Sequence, residues 1–172
     1  MKIIKYPQRD SWEGIVRRPH LDLSQLNATV NGVLSDIKEN GDKAVRKYEE
    51  KFDHASLDEI EVTTEEKEEA MSLISKELYD SLVIAHNNIA KFHESQKFDG
   101  KKIVTVNGVT CWQKSVPIQK VGLYIPGGTA PLFSTVLMLA TPAKIAGCPE
   151  IVLCTPPDKE GRVNPAILAA AK

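Results

Sequence analysis

Cysteine is scarce in this sequence. Cys111, Cys148 and Cys154 are odd in number and form no C-x-x-C pair, so no disulfide framework or redox motif is expected. Reduced thiols in a cytoplasmic protein are the simplest expectation. Charge of one sign is also missing. The net charge is −1 and the pI is near 6.4, which argues against a protein that grips nucleic-acid phosphates. No stretch approaches 18 consecutive apolar residues, so no membrane span is expected. Met1 to Asp10 lacks the apolar centre of a signal peptide.

What is present reads as a globular α/β chain. Hydrophobic residues make up 42% of the 172, enough to build a core if all the covering elements are there. Residues 1–19 show no period and read as an extended N-terminal arm. Residues 20–118 read as a helical region followed by a hairpin. Ser24 is the expected N-cap of a first helix with Leu26, Val30, Val33, Leu34 and Ile37 in one stripe. Gly41 is the expected stop, and Asp42 restarts a helix that ends near Asp53-His54. Thr63 or Thr64 caps a third helix. A single helix over 64–97 would be ~50 Å long, too long for a small domain, so a break is placed at Ser75. Ile103 to Trp112 is β-rich around Asn107-Gly108, a dipeptide that favours positive φ at both positions of a two-residue hairpin turn.

Residues 119–172 change character. Val121–Ile125 and Glu150–Thr155 read as short buried strands, and a helix from about Ser134 to Ala146 joins them, with Pro142 inside and Gly147 as its stop. Asn164-Pro165 is an N-cap and N1 pair that opens another helix. Two parallel strands with a crossover form a βαβ unit, the start of an incomplete Rossmann-like domain. The last helix has no C-cap and no strand after it, so the chain reads as truncated within an element. The unfinished sheet is expected to expose its faces, and amide protection across 121–155 to fall below that of the helices in 24–96.

The candidate site lies between strand and helix, at Tyr124, Pro126, Gly127 and Gly128. Two glycines after a strand let a ligand approach bare backbone, and a helix N-terminus follows. The same loop also serves as a plain tight turn, since it is neither a G-x-G-x-x-G motif nor a P-loop. His86 and His93 share a helix face but stand ~10 Å apart, too far to share one zinc, so no metal ligand is expected among the histidines. The three cysteines are expected to be small buried hydrophobes rather than nucleophiles, because no nearby base would lower their pKa.

The run Val121-Gly122-Leu123-Tyr124-Ile125-Pro126-Gly127-Gly128-Thr129-Ala130-Pro131, with Thr141-Pro142-Ala143-Lys144-Ile145-Ala146-Gly147-Cys148 after it, resembles histidinol dehydrogenase. Gly41-Asp42-Lys43-Ala44, Lys51-Phe52-Asp53 and Asn164-Pro165-Ala166-Ile167-Leu168 carry the same likeness, which covers nearly the whole chain. The resemblance implies an NAD-dependent, zinc-dependent enzyme of histidine biosynthesis. It would oxidise L-histidinol through an aldehyde to L-histidine, as a homodimer. It also implies Tyr124 as an NAD contact. The family's zinc ligands, its catalytic Glu-His pair and its other NAD contacts fall beyond this sequence. The chain alone is therefore expected to be inactive, with no catalytic or metal residue of its own. The alternative is a non-catalytic binding or dimerisation module.

Overall fold

A computed structural model describes residues 3–18, 23–127 and 130–172. The chain divides into two units, Met1–Ala44 and Val45–Lys172.

The first unit corrects the expectation of an extended arm. A 3-10 turn at Arg9–Ser11 leads into a short helix α1 (Trp12–Val16). The Ser11 hydroxyl donates to the Gln8 carbonyl at 2.6 Å, and the Trp12 indole N–H donates to the Pro7 carbonyl at 3.1 Å. These local bonds satisfy polar groups that an extended segment would leave to water. Helix α2 (Ser24–Asn40) carries the predicted apolar stripe, yet none of its residues is buried. Ser24 is its first helical residue rather than its cap; Leu23 holds the cap position, with no side-chain bond. Gly41 ends α2 with φ 54, and its N–H donates to the Ile37 carbonyl at 2.8 Å. Helix α3 (Asp42–Phe52) follows, and His54 turns the chain after it with φ 58.

In the second unit the helix ends are where side-chain chemistry puts them. Helix α4 (Thr64–Leu73) starts with a complete capping box. The Glu66 N–H donates to the Thr63 hydroxyl, and the Thr63 N–H donates to the Glu66 carboxylate. Ser75 caps helix α5 (Lys76–Glu94) by accepting from the Leu78 N–H at 3.1 Å, so the predicted break is real.

Strands β1 (Ile103–Val106) and β2 (Val109–Cys111) form the expected antiparallel hairpin. Only Gly108 takes a positive φ, 84°; Asn107 does not, so the turn is not the doubly positive form expected. The register slips by one residue between Val104 and Val106, a bulge that spares the strands the splay of an unmatched turn. Every residue of both strands is exposed.

Strands β3 (Lys120–Tyr124) and β4 (Glu150–Cys154) pair in parallel, Tyr124 opposite Cys154, with helix α6 (Phe133–Ile145) between them in sequence. The Ile125 N–H extends the ladder to the Cys154 carbonyl at 2.9 Å. Gly147, at φ 82, stops the helix as predicted. Helix α7 (Pro165–Ala171) opens where Asn164 accepts from the Ala166 N–H at 2.9 Å. Helix α6 packs against α5 and α7, and α7 also packs against α4.

Ile125, Val136 and Ile167 form a buried cluster, with Leu132, Leu153, Val163 and Ala170 around it. Burying each such side chain contributes roughly 1.5–3 kcal/mol. Contrary to the expectation of two buried strands, β3 and β4 are not buried throughout. They alternate: Val121 and Leu123, like Ile151 and Leu153, turn to the covered side, while Gly122, Tyr124, Val152 and Cys154 are exposed. Among the described residues only one face of this sheet is covered. The expectation of buried cysteines fails for this reason. Cys154 is on the uncovered face and Cys111 is on the uncovered hairpin; Cys148 is half-buried.

Candidate functional site

Within the second unit, a cleft of about 760 Å³ opens beyond the C-terminal ends of β3 and β4. Its volume is within the range of small-molecule sites. Its position obeys the rule that open parallel sheets bind ligands outside their carboxyl edge.

Tyr124 stands at the end of β3 and lines the cleft, 63% exposed, because strand alternation turns it away from the Ile125 cluster. Pro126 and Gly127 continue the wall. Gly127 has a steric reason to be glycine: a Cβ there would be 2.7 Å from Cγ of Pro156. The two strand-end loops thus touch at Gly127 and Pro156. Gly128, the fourth predicted residue, lies outside the described residues, as does His20.

Sequence reasoning missed the opposite wall. Thr155, Pro156, Asp158, Arg162 and Asn164 line it from the loop after β4, joined by Asp53 from beyond α3 and Glu66, Glu69 and Leu73 from α4. The signal for the loop was available. Pro156-Pro157 follows β4 as Pro126-Gly127 follows β3, and strand-end loops are where such sites form. The α4 contribution had no local signal, because it depends on α4 packing against α7.

Electrostatically the cleft is acidic. Glu66 is occupied by the capping box, and the Asp158 carboxylate accepts from the N–H groups of Glu160 and Arg162 at 3.0 and 2.8 Å. The Thr155 hydroxyl is buried without a hydrogen-bond partner among the described residues. Nearby in α3, Glu49 has its pKa raised by burial first and by the charge of Asp53 second, and its Oε2 is buried without a partner.

Among the described residues no three His, Cys, Asp or Glu side chains gather as a metal site. His93 bonds Gln96 at 2.7 Å through Nδ1, an ordinary surface contact near a helix end. The described residues do not fit a zinc. No helix of the described residues is long and apolar enough to cross a membrane.

Comparison with known proteins gives this geometry a context. The family model for histidinol dehydrogenase matches residues 16–172. Histidinol dehydrogenase of Bacteroides thetaiotaomicron is 58% identical over 172 residues, covering all of this chain and 40% of that protein. The Escherichia coli K12 enzyme is 46% identical over 144 residues, 83% of this chain and 33% of that one. The crystal structure of histidinol dehydrogenase from Elizabethkingia anophelis superposes with a TM-score of 0.90 at 48% identity, covering 96% of this chain and 38% of that one. The chain spans about 40% of the length of the curated relatives it matches most fully. With the sequence match running through the helices, the hairpin and both parallel strands, the chain belongs to the histidinol dehydrogenase family.

Proposed function

We propose that these residues are the N-terminal share of an NAD-dependent enzyme that oxidises L-histidinol through an aldehyde to L-histidine, and that the strand-end cleft is one side of its NAD site. In this reading residues 119–172 begin the nucleotide-binding domain. Tyr124 lays its ring or hydroxyl against the cofactor, while Pro126, Gly127 and Gly128 bring backbone close to it. Bound NAD would supply the hydride acceptor. The single observation that carries the reading is the cleft at the carboxyl edge of a parallel pair, with Tyr124 and Gly127 in one wall. Family membership supports the substrate class. Zinc, the proton-transferring Glu-His pair and the homodimer belong to the same proposal, with their residues supplied from outside these 172, in a cytoplasmic enzyme. The residues here bind and orient; they move no proton at a reacting atom.

The test is histidinol-dependent NADH formation. The chain by itself should form none. In the longer polypeptide proposed to carry it, Tyr124→Ala should raise the KM for NAD more than it lowers kcat. NADH formation by the 172 residues alone, or a Tyr124→Ala enzyme with unchanged KM for NAD, would refute the assignment.

A second reading, an assembly module, is favoured by the exposure of Val104, Val106 and Trp112 in and beside the hairpin. Titration of the longer polypeptide with NAD separates the two, since both allow a dimer: a stable dimer without NAD affinity supports assembly alone.

A further inference from the structure

The cleft holds a charge imbalance. Asp53, Glu66, Glu69 and Asp158 line it, and Arg162 is the one cation among the described lining residues. A dinucleotide carries a pyrophosphate, which such a wall would repel unless a cation met it. Among the described lining residues Arg162 is the one placed to meet it.

Arg162 is held unusually well for a loop residue. Its N–H donates to the Asp158 carboxylate, and its carbonyl accepts from the Asp158 N–H, both at 2.8 Å. Inside this closed turn the Gly161 N–H donates to the Asp158 carbonyl at 2.9 Å, with Gly161 at φ 78. A Cβ on Gly161 would meet Cδ2 of Leu57 at 3.1 Å, so the turn rests on the 56–57 segment. That segment is pinned in turn. The Arg46 guanidinium donates to the Leu57 carbonyl at 3.1 Å and to the Asp58 carbonyl at 2.8 Å. Helix α3 thus braces the loop that presents Arg162 to the cleft.

The guanidinium itself is left uncommitted. Asp158 spends its Oδ1 on two backbone amides, Glu66 spends its carboxylate on a helix cap, and no ion pair or hydrogen bond engages the Arg162 side chain among the described residues. A fixed backbone with a free planar donor set suits bidentate capture of phosphate oxygens. Preorganisation of the loop lowers the ordering cost of binding.

We infer that Arg162 is a positioning residue for the dinucleotide, binding the pyrophosphate and offsetting the acidic wall of the cleft. The inference rests on the NAD reading of the site. Its test titrates the longer polypeptide proposed to carry these residues, and its Arg162→Gln, Arg162→Lys and Tyr124→Ala variants, with NAD, ADP and adenosine by calorimetry. Arg162→Gln should weaken NAD and ADP about tenfold, the worth of one charge-assisted hydrogen bond, and leave adenosine unchanged. Arg162→Lys should recover most of the loss. Raising salt should weaken ADP binding to the wild type more than to Arg162→Gln. If Arg162→Gln binds ADP and NAD like the wild type while Tyr124→Ala loses NAD, the cofactor site stands and the role of Arg162 falls. If Arg162→Gln loses ADP while Tyr124→Ala keeps full NAD affinity, Arg162 holds phosphate and the Tyr124 assignment falls. A wild-type longer polypeptide that binds neither NAD nor ADP overturns both.

Discussion

The hairpin β1–β2 and the parallel pair β3–β4 are both two-stranded, but they are held by different physics. The hairpin closes through a local turn, and all of its residues are exposed. The parallel pair has no local turn. Its strands are separated by helix α6 and are held together by what that helix buries, the Ile125–Val136–Ile167 cluster. The hairpin is therefore decided by a few adjacent residues, and the parallel pair by packing between distant ones. The cleft sits on the second kind of structure, where the scaffold is rigid enough to aim side chains.

The largest effect that would break this comparison is in the core. Ile125→Ala should lower stability by about 2–5 kcal/mol, through lost burial and a residual cavity. Val106→Ala in the hairpin, at an exposed position, should change it by no more than about 0.5 kcal/mol. Denaturant midpoints would decide; equal losses would mean that the hairpin is covered in solution. Next in size is Gly127→Ala. The new Cβ would collide with the Pro156 ring, and overpacking of this kind costs about 1–3 kcal/mol. The same change should separate the two strand-end loops and weaken ligand binding in the cleft. Wild-type stability together with wild-type binding would mean that the loops are not in contact.

The smallest effect concerns Glu49. Its folded pKa is raised from the ordinary glutamate value, because burial and then Asp53 disfavour its charge. A raised carboxyl pKa favours the folded state while Glu49 is protonated. That contribution is full below the ordinary range and is lost as pH rises through the folded value. Glu49→Gln, always neutral, should therefore raise Tm slightly at pH 7 and leave it unchanged at pH 4. A fall in Tm at pH 7 would show that the ionised carboxylate has a partner.

How much of this was legible in the sequence follows the same division. Thr63 with Glu66, Ser75, Gly41, Gly147 and Asn164-Pro165 each announce a helix end, because caps are chemistry between near neighbours. Asn107-Gly108 announces the hairpin, although not the conformation of its turn. The failures are long-range. The stripe on α2 predicts a buried face, but its Leu26 and Leu34 are about as exposed as Tyr124. Cys154 reads as buried in an apolar strand, but lies on the face that none of the described residues covers. The unfinished sheet is expected to expose its faces, and Gly122, Tyr124, Val152 and Cys154 are exposed on β3 and β4. One wall of the cleft was legible from Tyr124 to Gly127. The other, with Arg162 and Asp53, depends on α3 and α4 reaching the loop after β4, which no local pattern encodes.

The most direct test of the central claim is amide hydrogen exchange on the longer polypeptide proposed to carry these residues, with and without NAD. The account predicts slowed exchange at Tyr124–Gly127 and across 158–164, with the hairpin at 103–111 unchanged. Slowing confined to the hairpin, or no change at either strand-end loop, would contradict it.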